Sequence, residues 1–267
     1  MVEHFLHQLL VGCNLVIRLR FILLYVKLFL SRQSTFFSLI KNFKLKIKNY
    51  GRILFIMIIT YFGREHFKLQ VGDTTFAINP VSKDGKGKVA KYGADVCLIT
   101  TNHPDYNGSE QTTHGEKVPF IINGPGEYEV KDVFIKGFGT KTKLKDGKVE
   151  KEYQNTSYVF TFDGIRVTFL GALSVALDPT HKEIIDETDV LFIPVGEDGF
   201  LLNPYDAHKL AVSLEPKLII PMDYNEQSLP IFLKEAGSEK IDPVEKLTIK
   251  KKDIDSKLGE VVLFHEL

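Results

Sequence analysis

The chain has 267 residues, of which 44% are hydrophobic and 25% are charged, and its formal net charge is zero. This composition is typical of a globular protein, and the length suits one large α/β domain or two small ones. The charge is unevenly spread, because residues 1–56 carry nine Lys or Arg against Glu3 alone, and the rest of the chain is acidic by the same margin. An acidic body argues against nucleic-acid binding by residues 57–267.

Cysteine usage indicates a reducing compartment, and we expect a cytoplasmic protein. Cys13 and Cys97 are the only two cysteines, so a disulfide framework is not indicated. Cys97 falls in a predicted buried strand, where a thiol is typically a small core hydrophobe rather than a reactive group.

The first 56 residues differ in character from the remainder. Residues 5–30 are apolar and about the length of a membrane span, but Arg18 and Arg20 near the centre would each cost about 2.5–3.5 kcal/mol in a bilayer. The segment is therefore interpreted as a membrane-surface amphipathic helix, as a soluble extension, or as translated AT-rich upstream DNA with the natural start at Met57. A membrane partner is expected only if residues 1–56 are genuine. The predicted division is 1–56 and 57–267.

From Met57 the pattern predicts alternating strands and turns. Strands are expected over 58–62, 67–71 and 74–79, with a turn at 63–66 that exposes His66. Residues 81–92 read as a solvated loop. An apolar strand over 96–99 then runs into a polar loop holding His103 and Asp105. This arrangement is a common way to build a metal or acid–base site at the edge of a sheet.

The second half alternates strands with helices. Asn203 and Pro204 fit the start of a helix over 205–214, with apolar residues on one face. Glu127 and Glu129 are expected on a solvated strand face. The remaining predicted elements are strands at 133–136, 157–162, 165–170, 190–194, 217–221, 247–251 and 260–264, a charged hairpin tip within 143–152, a helix or turn segment at 178–187, and a helix at 228–236.

The loop after the central strand resembles the T-H-x-H-x-D-H metal-binding loop of the metallo-β-lactamase superfamily. Thr100, His103 and Asp105 match that pattern, whereas Thr101 and Tyr106 stand where its first and last His belong. The opening of the domain is similar to the superfamily's I-T-Y-x-G-H-x-x-F hairpin, with Asn-Pro in place of Asp-Pro at 79–80. The sequence GPGEYEV at 124–130 resembles an element of the ascorbate-lactonase-like branch.

The resemblance covers nearly all of 57–267 and implies an α/β (α+β) fold, the four-layer αββα metallo-β-lactamase sandwich. It also implies a two-metal hydrolase site, of which several ligands are missing. Residues 138–142 contain no His, Ala172 replaces an Asp that bridges two metals, and Asp223 replaces the His of I-P-M-H-Y. His103, Asp105 and Asp223 remain as candidate metal ligands.

Three functions stay open on these residues. The first is a bacterial-type scaffold without catalytic metal, binding a small molecule or a protein, in which Thr101 and Tyr106 fill the emptied space. The second is a hydrolase of a small ester, lactone or phosphodiester, using one divalent ion, zinc by resemblance, with Asp105 as general base and help from His114 or Glu116. The third is a metal-free acid–base enzyme using His103 and Asp105. An oligomer is compatible with all three.

Overall fold

A computed structural model describes residues 56–146, 149–196 and 200–267, and these form two β-sheets with helices. The first sheet has the strand order β12-β1-β2-β3-β4-β5, and the second has the order β13-β11-β10-β9-β8-β7-β6. The strands are β1 Met57–Tyr61, β2 Phe67–Val71, β3 Thr74–Ile78, β4 Val96–Leu98, β5 Phe120–Ile122, β6 Gly126–Val130, β7 Val133–Asp146, β8 Val149–Phe162, β9 Ile165–Phe169, β10 Val190–Pro194, β11 Leu218–Met222, β12 Lys246–Ile249 and β13 Glu260–Val261.

The two sheets pack face to face through one large apolar core. Phe67 of the first sheet has its ring centroid 4.8 Å from that of Phe192 in the second, and Phe76 meets Phe160 at 5.9 Å. All four rings are fully buried. Aromatic pairs at these separations add to the free energy gained from burying their surface, so these contacts hold the sandwich together.

The outer face of the second sheet is covered by α1 Pro179–Ile185, α2 Pro204–Leu214 and α3 Ser228–Glu235. The short α4 Lys251–Ile254 instead contributes Ile254 to the core between the sheets. Leu191 and Ile193 of β10 alternate with Phe192, and they pack in a second core with residues of α1, α2 and α3. Asn203 caps α2, because its Oδ1 accepts a hydrogen bond from the Asp206 backbone N–H at 3.0 Å.

The outer face of the first sheet carries a loop and a short 3-10 helix, Ser109–Thr112. Ala77, Cys97 and Ile99 pack there against Ala94, so Cys97 is a buried core residue as predicted. No helix in the described part of the chain is long and apolar enough to cross a membrane. The interpretations of residues 1–55 lie outside the described residues.

One long hairpin differs from the prediction. β7 and β8 are each 14 residues long and pair from Ile135 opposite Phe160 to Asp146 opposite Val149. The predicted short strand at 133–136 and much of the predicted charged tip within 143–152 are therefore parts of continuous strands. Gly147, the centre of the predicted tip, lies outside the described residues.

Candidate functional site

The loop that follows β4 carries the residues that the sequence singled out. The backbone N–H of Tyr106 donates to the His103 carbonyl at 2.8 Å, which closes a tight turn. Within this turn the Asp105 N–H donates to Nδ1 of His103 at 3.2 Å. His103 and Asp105 are both buried.

A second loop, which contains Pro80 and Ser82, holds this turn in place through two backbone hydrogen bonds. The Gly108 N–H donates to the Pro80 carbonyl at 2.7 Å, and the Ser82 N–H donates to the Pro104 carbonyl at 2.9 Å. A Cβ at Gly108 would lie 2.4 Å from the Val81 carbonyl, so no larger residue fits there. The backbones of the two loops are therefore in direct contact at Gly108.

Asp105 and Asp223 converge on one cation, the guanidinium of Arg64. Its Nη2 lies 3.5 Å from Oδ2 of each carboxylate, and it donates to the Tyr106 hydroxyl at 3.1 Å. Oδ1 of Asp105 accepts from the Lys86 N–H at 2.6 Å. Burial by itself would lower the pKa of Arg64, but Asp223, Tyr106 and Asp105 outweigh it and raise that pKa above its ordinary value.

Tyr106 fills space at the centre of the site. Its hydroxyl donates to Oδ2 of Asp223 at 2.7 Å, and its ring is completely buried in a small apolar cluster with Leu144, Ala172 and Leu201. Burial raises the pKa of the Tyr106 hydroxyl, and Asp223 raises it further. Tyr106 therefore stays a neutral hydrogen-bond donor.

Asn155 joins two positions at which the resemblance expects metal ligands. Its Oδ1 accepts from the Thr101 hydroxyl and from the Ala172 N–H, each at 3.1 Å. Its Nδ2 donates to the Thr140 hydroxyl at 2.8 Å and to the Leu170 carbonyl at 2.9 Å. Both polar atoms of this fully buried amide are thus occupied.

A buried acid, Glu65, lies next to the ion-paired residues. Its Oε2 accepts from Nδ2 of Asn79 at 2.7 Å, and Nδ2 also contacts the Thr100 hydroxyl at 2.7 Å. Oε1 of Glu65 is buried without a hydrogen-bond partner among the described residues. Burial raises the pKa of Glu65 well above its usual range, and Asp223 adds to this. The fold therefore favours the protonated form of Glu65.

Other candidates lie away from this cluster. His114 and Glu116 are exposed in the turn before β5. The prediction that His66 is exposed was wrong: its ring is fully buried, and Nε2 shares a 2.9 Å hydrogen bond with the Tyr92 hydroxyl. Burial lowers the pKa of His66 to about 3, so it is neutral. Glu127 and Glu129 lie exposed on β6, as predicted.

The three residues predicted as metal ligands do not fit a metal ion in the arrangement they adopt. A zinc ion needs carboxylate oxygens at about 2.0–2.2 Å, whereas the Arg64 guanidinium already lies between the two carboxylates. Nδ1 of His103 accepts the Asp105 N–H, so this nitrogen is engaged within the loop. Within the described ranges, no three His, Cys, Asp or Glu side chains are grouped to hold a metal.

Sequence reasoning missed Arg64, Glu65 and Asn155. One signal for Arg64 was present, because it occupies the His position of the I-T-Y-x-G-H-x-x-F pattern. Asn155 carried no such signal, since its partners come from three other segments of the chain.

The fold defines the class: two mixed sheets with helices form the sandwich of metallo-β-lactamase-fold proteins. The family model described as a beta-lactamase superfamily domain matches residues 58–223. The chain therefore belongs to the β-lactamase superfamily, and the fold prediction is confirmed.

Similar proteins carry hydrolase names. The chain is 25% identical over 196 residues to a metal-dependent hydrolase from Listeria innocua, covering 63% of this chain and 86% of that one. It is 27% identical over 214 residues to a metal-dependent hydrolase from Lysinibacillus sphaericus, covering 66% and 91%. A crystal structure from Thermotoga maritima, titled as a Zn-dependent hydrolase of the metallo-β-lactamase superfamily, is 29% identical with a TM-score of 0.61, covering 78% and 98%.

Proposed function

We propose that this chain is a metallo-β-lactamase-fold protein that has lost metal-dependent hydrolysis and serves as a binding module for a small molecule or a protein. The observation that carries the proposal is the hydrogen bonding of Asn155. It joins Thr101 and Ala172, which replace a His and a bridging Asp of the family pattern. A fully satisfied buried amide at these positions stabilises the fold but supplies no ligand for a metal.

The packing of Tyr106 supports the same proposal. A two-metal hydrolase keeps a water-filled volume in which an activated water attacks the substrate. Here the Tyr106 ring is completely buried against Ala172, Leu144 and Leu201. Side chains that fill this volume leave less room for metal-bound water.

The test is metal content together with hydrolysis. We expect purified full-length protein without a His-tag to contain far less than one metal per chain by elemental mass spectrometry. We also expect no chelator-sensitive cleavage of aryl esters, lactones or phosphodiesters. One equivalent of zinc, iron or manganese that is lost in His103→Ala, together with activity abolished by chelator, would overturn the proposal.

A single-metal hydrolase of a small ester, lactone or phosphodiester is the second candidate. It is favoured by the similarity to proteins named metal-dependent hydrolases and by the position of Asp105, whose Oδ2 lies 3.7 Å from Nδ1 of His103. In that case Asp105 would be the general base, and Asp105→Asn would abolish activity while the protein stays folded. Equal activity of wild type and Asp105→Asn would exclude this role for Asp105.

The cytoplasmic location and the absence of a nucleic-acid partner stay predictions.

A further inference from the structure

Two carboxylates in the site have little access to water. The side chains of Asp105 and Asp223 are 5% and 11% exposed. Buried carboxylates need a compensating positive charge or hydrogen-bond donors, because desolvation of an isolated charge is costly. Here Nη2 of Arg64 lies 3.5 Å from Oδ2 of each carboxylate and supplies that charge.

The backbone holds Arg64 and Asp223 opposite each other. Both residues adopt left-handed conformations, with φ of 53° and 48°, which side chains other than glycine rarely accept. The Asp223 N–H donates to the Arg64 carbonyl at 3.0 Å, and the Tyr61 hydroxyl donates to the same carbonyl at 3.1 Å. Strained conformations of this kind persist only where the surroundings enforce them. These contacts hold the backbone of Arg64 beside that of Asp223.

The aliphatic part of Arg64 passes a glycine. A Cβ at Gly87 would lie 3.3 Å from Cδ of Arg64 and 2.9 Å from Val81. A larger residue at position 87 would therefore press against both the Arg64 and the Val81 side chains.

We propose that Arg64 is an intramolecular cation that takes the place of a metal ion between Asp105 and Asp223 and thereby excludes divalent cations. A guanidinium and a divalent ion would compete for the same two carboxylate oxygens, so only one of them binds at a time. Removing the guanidinium converts the carboxylate pair into a site for a hard, oxygen-preferring cation such as Mn²⁺.

The experiment measures Mn²⁺ binding to full-length wild-type protein, Arg64→Met and Arg166→Met by electron paramagnetic resonance of free Mn²⁺. Arg166 is the matched control, since its side chain is 31% exposed against 34% for Arg64, and it pairs with one carboxylate, Asp186, at 3.4 Å. We expect Arg64→Met to bind about one additional Mn²⁺ per chain, at least about tenfold more tightly than either other protein. Adding Asp223→Asn to Arg64→Met should abolish that gain.

Three results would overturn this inference. They are equal Mn²⁺ affinity in wild type and Arg64→Met, a folded Arg64→Met that binds no additional Mn²⁺, and a gain that survives Asp223→Asn. If Arg64→Met is unfolded in buffer, adding Mn²⁺ should restore the circular dichroism spectrum of the folded protein. A spectrum that stays that of an unfolded chain counts against the inference. The proposed function fails separately, on chelator-sensitive hydrolysis by wild type, so the two outcomes are distinguishable.

Discussion

Asn155 is the residue whose removal should damage the fold most directly. Asn155→Ala removes the side-chain acceptor of the buried Ala172 N–H and of the buried Thr101 hydroxyl, and each unsatisfied group costs about 1–3 kcal/mol. We expect a loss of several kcal/mol in the free energy of unfolding, measured by urea denaturation. Asn102→Ala is the control, because Asn102 is exposed. A loss no larger than that of the control would contradict the role given to Asn155.

Glu65 should make stability depend on pH. Its pKa is raised in the folded protein, so folding favours the protonated form and stability declines as pH rises above the ordinary value of 4.5. Glu65→Gln keeps an acceptor for Asn79 and removes the titration, so we expect it to be more stable than wild type at pH 8 and to show a flatter profile. Thermal melts between pH 5 and 9 test this, with the exposed Glu129→Gln as control. A variant profile parallel to that of wild type would mean that Glu65 is ionised in the fold.

The sequence predicts the site residues whose signal is local. His103 and Asp105 were identified because they directly follow a buried apolar strand. The bond between Tyr106 and Asp223 joins residues 117 positions apart, and the Thr101–Asn155 bond joins residues 54 apart. Such pairings depend on how the two sheets pack, which no residue pattern contains. The predicted exposure of His66 was wrong for a similar reason, since Phe62 and Tyr92 cover its ring only in the folded chain.

At the scale of elements, the Asp189 carboxylate binds donors from three segments at one end of the second sheet. It accepts hydrogen bonds from the Arg166 N–H of β9 at 2.8 Å, from Lys217 next to β11 at 2.7 Å, and from Lys251 of α4 at 2.7 Å. Burial opposes ionisation of Asp189, but these donors outweigh it and lower the pKa of the carboxyl. The ionised form therefore stabilises the fold.

The contribution of Asp189 should disappear in acid. A lowered carboxyl pKa gives stability that is present above the unfolded-state value, near 3.8, and is lost as pH falls through the folded-state value. At pH 7 we expect Asp189→Ala to lose about 1–3 kcal/mol in urea denaturation, because the Arg166 N–H is left unsatisfied. Asp186→Asn is the control, since Asp186 is exposed and pairs with Arg166 at 3.4 Å. A similar loss in both variants would argue against a special role for Asp189.

Strands and helices with a clear periodicity of apolar residues were predicted well. The strand at 67–71 and the helix after Asn203 match β2 and α2 closely. The β7–β8 hairpin was underestimated because its lysines suggested a charged loop. In the structure Thr142 and Leu144 are buried while Lys141 and Lys143 are exposed, which is the alternation of a half-buried strand.

At the scale of the whole molecule, the family resemblance gave the sandwich correctly, while the division at Met57 stays a prediction. The described residues from Ile56 onward form one compact unit. We expect a shortened chain starting at Leu54 to fold and to melt cooperatively, because the main core residues lie within it. Circular dichroism and a thermal melt beside the full chain test this. A shortened chain without a cooperative transition would place essential contacts in residues 1–53.

The hydrogen bonds of Asn155 constrain any attempt to engineer new metal ligands at these positions. An imidazole at position 101 alone would break the bond to Asn155, and a carboxylate at position 172 would lie near Tyr106 and beside the Asn155 carbonyl oxygen. Each substitution alone would lower the free energy of unfolding, and the effects of substitutions within one hydrogen-bond network are not additive. A design that adds ligands at both positions would therefore have to replace Asn155 at the same time.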